Sequence, residues 1–414
     1  MKTIAIIARI LVGVVFIYSG FVKGIDPWGS TYKFTDYFHA FNMSWMEPLA
    51  FVLAVVQNAA EFVIGVALVL GLRMKETAWA VLLFMGFFTI LTFILALTNP
   101  VSDCGCFGDA LILTNWQTFT KNLIFMAPTL IIFIYRKKYK PVYSPVGEWL
   151  WVFLTTVVMV LISINCYRHL PWIDFRPYHI GADIPQGMTV PAGKPVDEYL
   201  STVILEKDGV RQEFPVNDYP WNDSTWIFID TKTVLVKKGH TPPIHDFSIS
   251  TMDGNDITEE VLNDESFTFL LVAHRLNKSS RQGLDRASDI ADFCNEQGYG
   301  FYCLTATPQN EIESLKSELG LTYDFCFTDD VTLKTIIRAN PGLVLLQRGT
   351  VINKWHFNDM PEISDLKSNP NLLSFALDQH VAKSGNRLNN LLLAVFLFFS
   401  FIFFHFRKIK NQQN

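Results

Sequence analysis

Two cysteines one residue apart carry the clearest chemistry in this chain. They lie in Asp103-Cys104-Gly105-Cys106-Phe107-Gly108-Asp109, a short run between two long apolar stretches. In an exported loop such a pair can close a strained disulfide, pair with other thiols, or bind a soft metal. Gly105 supplies the backbone freedom that so tight a ring requires. A strained, exposed disulfide has an oxidising potential that suits thiol exchange rather than stapling. Zinc fits less well, because no paired His or second Cys-x-x-Cys lies nearby. The residue types thus leave a redox pair, a structural disulfide, and free or metal-bound thiols open. Cys104 and Cys106 are the candidate redox pair, and Cys166, at the end of a later apolar stretch, is a candidate resolving thiol.

A second set is the ionisable residues in or beside apolar stretches: Arg9, Lys23, Glu61 and Lys121. Such groups are costly in a bilayer and usually have a reason to be there. Glu61 lies near the middle of the second stretch and Arg9 about one turn inside the first. Counting along the spans at about 1.5 Å per residue puts their depths only several Å apart, within reach of a Glu61–Arg9 pair. Such a pair would serve a ligand, proton or quinone site, or would simply fix helix packing; alternatively, Arg9 snorkels to the headgroups. Lys23 and Lys121 fall at the outer membrane surface, where interfacial anchoring is the plainer reading.

The elements that must position these residues follow from composition. The 414 residues are 50% hydrophobic and only 18% charged, against about 25% charged in an ordinary soluble domain. The charge is unevenly placed: residues 1–168 carry net +4, residues 169–388 net −12, and residues 389–414 net +3. This excludes a single soluble domain, and the acidic segment argues against nucleic acid as a partner. A spanning helix needs about 20 apolar residues. Runs at 4–22, 49–70, 78–97, 116–135, 149–166 and 388–406 meet or approach that length. The first has no small-x-small cleavage site after it and is expected to be a retained span. Lys and Arg concentrate in the 71–77 loop, the 136–148 loop and the C-terminal tail, and are missing from 98–115. The positive-inside rule then places both termini in the cytoplasm. The cysteine loop and all of 169–387 fall on the other side, the periplasm if the membrane is a bacterial inner membrane.

Residues 170–240 show two hairpin patterns, 199–205 leading to a Lys207-Asp208-Gly209 turn, and 226–229 followed by 234–236. They predict a small β-rich subdomain. Residues 241–365 alternate strands at 267–273, 299–306, 323–328, 343–347 and 350–357 with helices at 283–297, 309–319 and 331–338, the pattern of an α/β layer fold. The expected organisation is 1–140 a four-helix membrane domain, 141–168 a fifth span, 169–240 the β-rich subdomain, 241–387 an α/β domain, and 388–414 a sixth span with a basic tail.

Two resemblances attach to these residues. Arg9…Gly20-Phe21-Val22-Lys23…Asp26-Pro27, with Glu61, Gly65 and Gly71, resembles the DoxX family. The Cys-Gly-Cys-Phe-Gly-Asp loop is similar to that of the related MauE group. The resemblance covers about residues 1–140 and implies a four-helix membrane unit. MauE-type proteins are associated with maturing a disulfide-rich periplasmic dehydrogenase subunit, and DoxX-type proteins with quinone-coupled oxidation. A quinone is therefore the cofactor this resemblance implies. With its long exported insert the whole chain resembles the Bacteroidetes-type DoxX proteins. The 241–387 segment resembles the thioredoxin superfamily, and Pro341 in Asn340-Pro341-Gly342 matches its cis-proline position. The redox members carry Cys-x-x-Cys after the first central strand, where this chain has His274-Arg275-Leu276-Asn277-Lys278-Ser279-Ser280. His274 and Arg275 are expected at the surface there, with a basic pocket as the alternative. Cys294, Cys303 and Cys326 are expected as buried thiols, with a Cys294–Cys303 bridge as the alternative.

The function these features point to is thiol–disulfide redox, or maturation of exported proteins, through Cys104 and Cys106. The partners would be the bilayer and a periplasmic client or thiol protein. A non-enzymatic scaffold and a small-molecule carrier built on Glu61 are the competing expectations.

Overall fold

The computed structural model describes residues 2–382 apart from 102, 142, 196–197, 208, 217, 224 and 238. The expected sixth span at 388–406 lies outside the described residues. Five helices among those described are long and apolar enough to cross a membrane, and the chain is a multi-pass membrane protein. They are α1 (Lys2–Ile25), α3 (Ala50–Leu70, extended outward by a 3-10 turn from Ser44), α4 (Met74–Thr98), α5 (Asn115–Tyr135) and α6 (Pro145–Arg168). Between the first two spans runs α2 (Pro27–Ala40), where the sequence reading has only a loop. Its start is encoded locally: Asp26 accepts from Gly29 N at 2.9 Å and Pro27 occupies the first helical turn.

Helices α1 and α3 form the closest pair of the bundle. A Cβ at Gly20 would come within 2.6–2.9 Å of Phe62, and one at Gly65 within 2.6 Å of Ile17 N and 2.8 Å of Gly13 O. Small residues are what allow two backbones to meet so closely inside a membrane. This contact fixes the register of every polar residue on the two helices. The cysteine loop between α4 and α5 is anchored at the start of α5. There Thr114 and Gln117 form a reciprocal capping box, and Asn115 donates to Val101 O at 2.8 Å.

Past the spans comes a three-stranded antiparallel sheet of β1 (Glu198–Lys207), β2 (Val210–Pro215) and β3 (Ile227–Lys237), in the order β2-β1-β3. The first expected hairpin is present. The second is not: 227–237 is one continuous strand paired to β1. Asp230-Thr231-Lys232-Thr233 contains neither Gly nor Pro to turn the chain.

The larger sheet contains β4 (Ser250–Thr251), β5 (Phe267–Val272), β6 (Gly300–Thr305), β7 (Asp324–Phe327), β8 (Gly342–Gln347) and β9 (Thr350–His356), in the order β4-β7-β6-β5-β8-β9. Strands β5, β6 and β7 are parallel, whereas β8 and β9 are antiparallel additions. Helices α7 (Ile184–Gly187) and α8 (Thr258–Asn263) are single short turns. α9 (Arg281–Gln297), α10 (Gln309–Leu319) and α11 (Asp330–Ile336) alternate with the strands, and α12 (Ile363–Ser368) follows them. The Asn340–Pro341 peptide bond is cis. Order, strand sense and this proline make the domain thioredoxin-like, as expected.

Alternate residues of the central strands feed two cores. Phe269, Leu271, Leu284, Leu343 and Trp355 fill one face, and Leu270, Val272, Leu304, Leu333 and Val344 the other. Tyr178, Ala182 and Ile184 also pack into the second core, and Asp183 bridges Thr350. The segment that leaves α6 therefore belongs with the thioredoxin-like layer, not with the β-rich subdomain to which the sequence reading gave it.

Candidate functional site

Helix α2, the cysteine loop and the thioredoxin-like domain meet at one end of the bundle. Arg338, just past α11, is buried there. Its guanidinium reaches Asp26 at 3.0 Å and Asp109 at 2.7 Å. The two carboxylates raise its proton affinity despite the burial that opposes it. Its ring of contacts also includes Tyr32, 5.4 Å from the guanidinium.

Beneath this clamp the loop is held residue by residue. Asp103 accepts from Gly105 N at 2.9 Å and from Lys33 at 2.7 Å. Tyr37 donates to Cys104 O at 2.6 Å, and Ser19 to Cys106 O at 2.5 Å. Gly105 has φ +65°, and a Cβ there would meet Lys33 Cγ at 3.0 Å, so the position needs glycine on two grounds. The sulfurs of Cys104 and Cys106 lie 2.9 Å apart and are not joined. The two sulfurs lie within hydrogen-bond reach of each other. Cys104, donating to its neighbour and 7% exposed, is pushed well up. Cys106 is lowered to about 6, first by that hydrogen bond, then by the Lys121 and Lys23 charges working against burial. At neutral pH the arrangement favours a Cys106 thiolate, the form that attacks.

Both cysteines line a cavity of about 840 Å³. It runs from Arg338 and Lys334 past the loop to Glu61, between Phe84, Phe88 and Phe125. At its inner end Glu61 is paired with Lys23, and both are buried. Asn58 completes this floor by donating to Lys23 O at 3.0 Å. Lys121 also turns into the cavity, its ammonium 4.4 Å from the Phe107 ring centroid. Neither lysine is therefore a simple interfacial anchor.

The expected Glu61–Arg9 pair does not form. Gly20 faces Phe62 and Gly13 faces Val69 across the antiparallel contact. Arg9 thus lies twelve residues below the level of Glu61, about 18 Å along the axis. Arg9 lies instead against Gly71, at the end of α3, and over the Tyr139 ring at 5.4 Å. Counting depth from each end separately overlooked how the glycines set the register. Cys166 is buried in α6 and is not among the residues lining the cavity.

The position equivalent to a thioredoxin dithiol is differently built. Ser280 caps α9 and Ser279 donates to Asn340 Oδ1 at 3.0 Å. One turn on, a Cβ at Gly283 would meet Phe357 at 2.8 Å and Pro341 at 2.9 Å. His274 is not a surface residue: its Nε2 lies 3.5 Å from the Tyr32 hydroxyl of α2, and burial lowers it to about 4. Arg275 is exposed. His274 and Ser279 line a second cavity, of about 1270 Å³, against the membrane unit. Cys294, Cys303 and Cys326 are buried thiols with no bridge between them.

Residues 1–135 match the family model of methylamine utilisation protein MauE. Residues 199–238, the three-stranded sheet, match a domain of unknown function, DUF8463. Among curated proteins nothing matches the chain. Among solved structures, a candidate protein disulfide isomerase of Bacteroides thetaiotaomicron is 16% identical over 30% of this chain and 82% of its own, with TM-score 0.26. StoA of Bacillus subtilis is 17% identical over 30% of this chain and 93% of its own, with TM-score 0.25.

Of the residues singled out from the sequence, Cys104, Cys106, Glu61, Lys23 and Lys121 line this one cavity, whereas the clamp was not foreseen. Arg338 sits 312 residues from Asp26 and 229 from Asp109, and nothing in its local sequence marks it. The cap signature Asp26-Pro27 was the one available sign that Asp26 begins a helix facing the loop.

Proposed function

We propose that this chain is a membrane thiol–disulfide exchange protein, of the DoxX type within the MauE-like group, which serves exported proteins. It lies in a bacterial inner membrane, with both termini cytoplasmic and the cysteine loop and thioredoxin-like domain periplasmic. The observation that carries this reading is the sulfur pair, 2.9 Å apart, polarised toward one thiolate in a cavity capped by the exported domain. In the exchange, the Cys106 thiolate attacks one sulfur of a partner's disulfide. The partner's S–S bond breaks and its second sulfur leaves as thiolate. Cys104 gives that thiolate its proton and then attacks Cys106. This releases the first partner sulfur, which takes a proton from water. The partner gains two electrons and Cys104–Cys106 becomes the disulfide. The reverse sequence oxidises a client. The thioredoxin-like domain has no dithiol at the expected position and acts as the docking element.

Thiol trapping in native membranes tests this. Acid quenching followed by alkylation is expected to find Cys104 and Cys106 in both redox states, shifting with external oxidant. A pair that never changes state, with a double Ser variant behaving as wild type, removes the proposal.

The same cavity favours a second, compatible reading. Its depth, its aromatic walls and the Lys23–Glu61 floor fit a lipid-soluble ring compound of quinone size. Such a group, when bound, would accept the two electrons of the dithiol. Lys23 and Glu61 would hold its polar end, and the phenylalanines would exclude water. If Glu61→Gln leaves binding of a quinone analogue unchanged, this reading fails while thiol exchange stands.

A further inference from the structure

We infer that Lys121 is the positioning residue that holds Cys106, the attacking member of the pair, as its thiolate. This role rests on the thiol-exchange reading for its use, while charge and geometry around the loop carry it. The cations around the loop are nearly all answered. Lys23 on α1 pairs with Glu61 on α3. Lys33 on α2 pairs with Asp103, 2.7 Å away. Arg338 from the exported domain is held between Asp26 and Asp109. Tyr37 is committed to Cys104 O. Lys121 is the exception: among the described residues no carboxylate lies within ion-pair distance of it. Its ammonium rests on the ring of Phe107, the residue directly after Cys106, inside the same cavity.

Its placement is built rather than incidental. The Thr114–Gln117 box fixes where α5 begins, and Asn115 ties that turn to the loop. Asn122, the next residue, donates to Thr92 of α4 at 3.1 Å and so sets the rotation of the helix. An unanswered ammonium in a mostly apolar cavity favours an anion beside it, and Cys106, adjacent in sequence to the Phe107 on which that ammonium rests, lines the same cavity and can become one. With Cys106 ionised, Lys23, Lys121, Glu61 and Cys106 sum to zero charge. The hydrogen bond from Cys104 selects which sulfur keeps the proton, and Lys121 stabilises the result.

The test is the pH dependence of iodoacetamide alkylation on the full chain in native membranes, with each cysteine read separately by peptide mass. In wild type Cys106 reacts first, with a midpoint below that of an ordinary thiol. Lys121→Met is expected to raise that midpoint by about one pH unit or more, and Lys121→Arg to restore it. Lys121→Gln answers by the same criterion should the Met variant not accumulate. An unchanged midpoint in the neutral variants, or Cys104 reacting first in wild type, overturns the inference. No client takes part in this measurement. A low midpoint on a Cys106 that never forms a mixed disulfide would therefore sink the exchange reading and leave the Lys121 inference intact.

Discussion

Two places on one face of this molecule are candidates for thiol chemistry, and each lacks what the other has. The thioredoxin-like domain offers the frame: a central parallel strand, a capped helix and a cis proline at the strand entrance. It holds Ser280 and Gly283 where the two thiols would sit, and Gly283 is packed too tightly against Phe357 and Pro341 to take a side chain. The loop between α4 and α5 has no such frame, yet it holds two sulfurs 2.9 Å apart with a lysine to polarise them. The contrast teaches that a fold and its usual chemistry separate readily when another element supplies the reactive groups nearby. Here the thioredoxin-like domain contributes Arg338 to the site, not a dithiol.

The comparison breaks most sharply if the thiols are exchanged between the two places. Removing them with Cys104→Ser and Cys106→Ser is expected to abolish all thiol trapping. Installing Ser280→Cys with Gly283→Cys in that background is not expected to restore it, because position 283 has no room. Recovery of trapping by the graft would show that the thioredoxin-like site is merely unequipped rather than closed.

Next in size is the clamp. Arg338→Ala leaves Asp26 and Asp109 facing each other without their cation. Breaking a buried pair this way costs about 3–5 kcal/mol. Limited proteolysis should then cut between α6 and the thioredoxin-like domain, and Cys106 should alkylate faster. An unchanged cleavage pattern would mean that the domain is held by other contacts.

A pH effect is expected from the vacated side of the interface. His274 and His356 are both lowered to about 4 by burial. A histidine whose folded value lies below its unfolded one stabilises fully above the unfolded value and loses that contribution as pH falls toward the folded one. The thermal stability of the thioredoxin-like domain should thus fall between about pH 6.5 and pH 4. His274→Phe should flatten part of that slope.

The smallest effect belongs to Ser280→Ala. Loss of the α9 cap costs about 1 kcal/mol and should leave thiol trapping untouched. A loss of trapping instead would return the serine site to the chemistry.

Much of the architecture was legible because it rests on local pattern. Apolar length gave the five described spans, and the strand and helix alternation of 267–357 agrees with the structure to within a few residues. The reading stumbled where distant contacts decide. The level of Arg9 depends on Gly13, Gly20 and Gly65 meeting across two helices. The continuous strand at 227–237 is held by pairing with β1. At the site, spacing revealed Cys104 and Cys106, since a Cys-x-Cys pair is itself a local signal. Arg338 was invisible, because its partners come from another domain and a lone arginine carries no pattern.

The most direct test of the central claim is a Cys104→Ser variant of the full chain, isolated from native membranes under acid quench. Serine keeps a hydroxyl beside Cys106 but cannot resolve a mixed disulfide. The account predicts that Cys106 accumulates in a disulfide with an exported thiol protein, and that the adduct disappears in Cys104→Ser/Cys106→Ser. A Cys106 that stays a free thiol in Cys104→Ser, under conditions where the wild-type pair is also static, would contradict it.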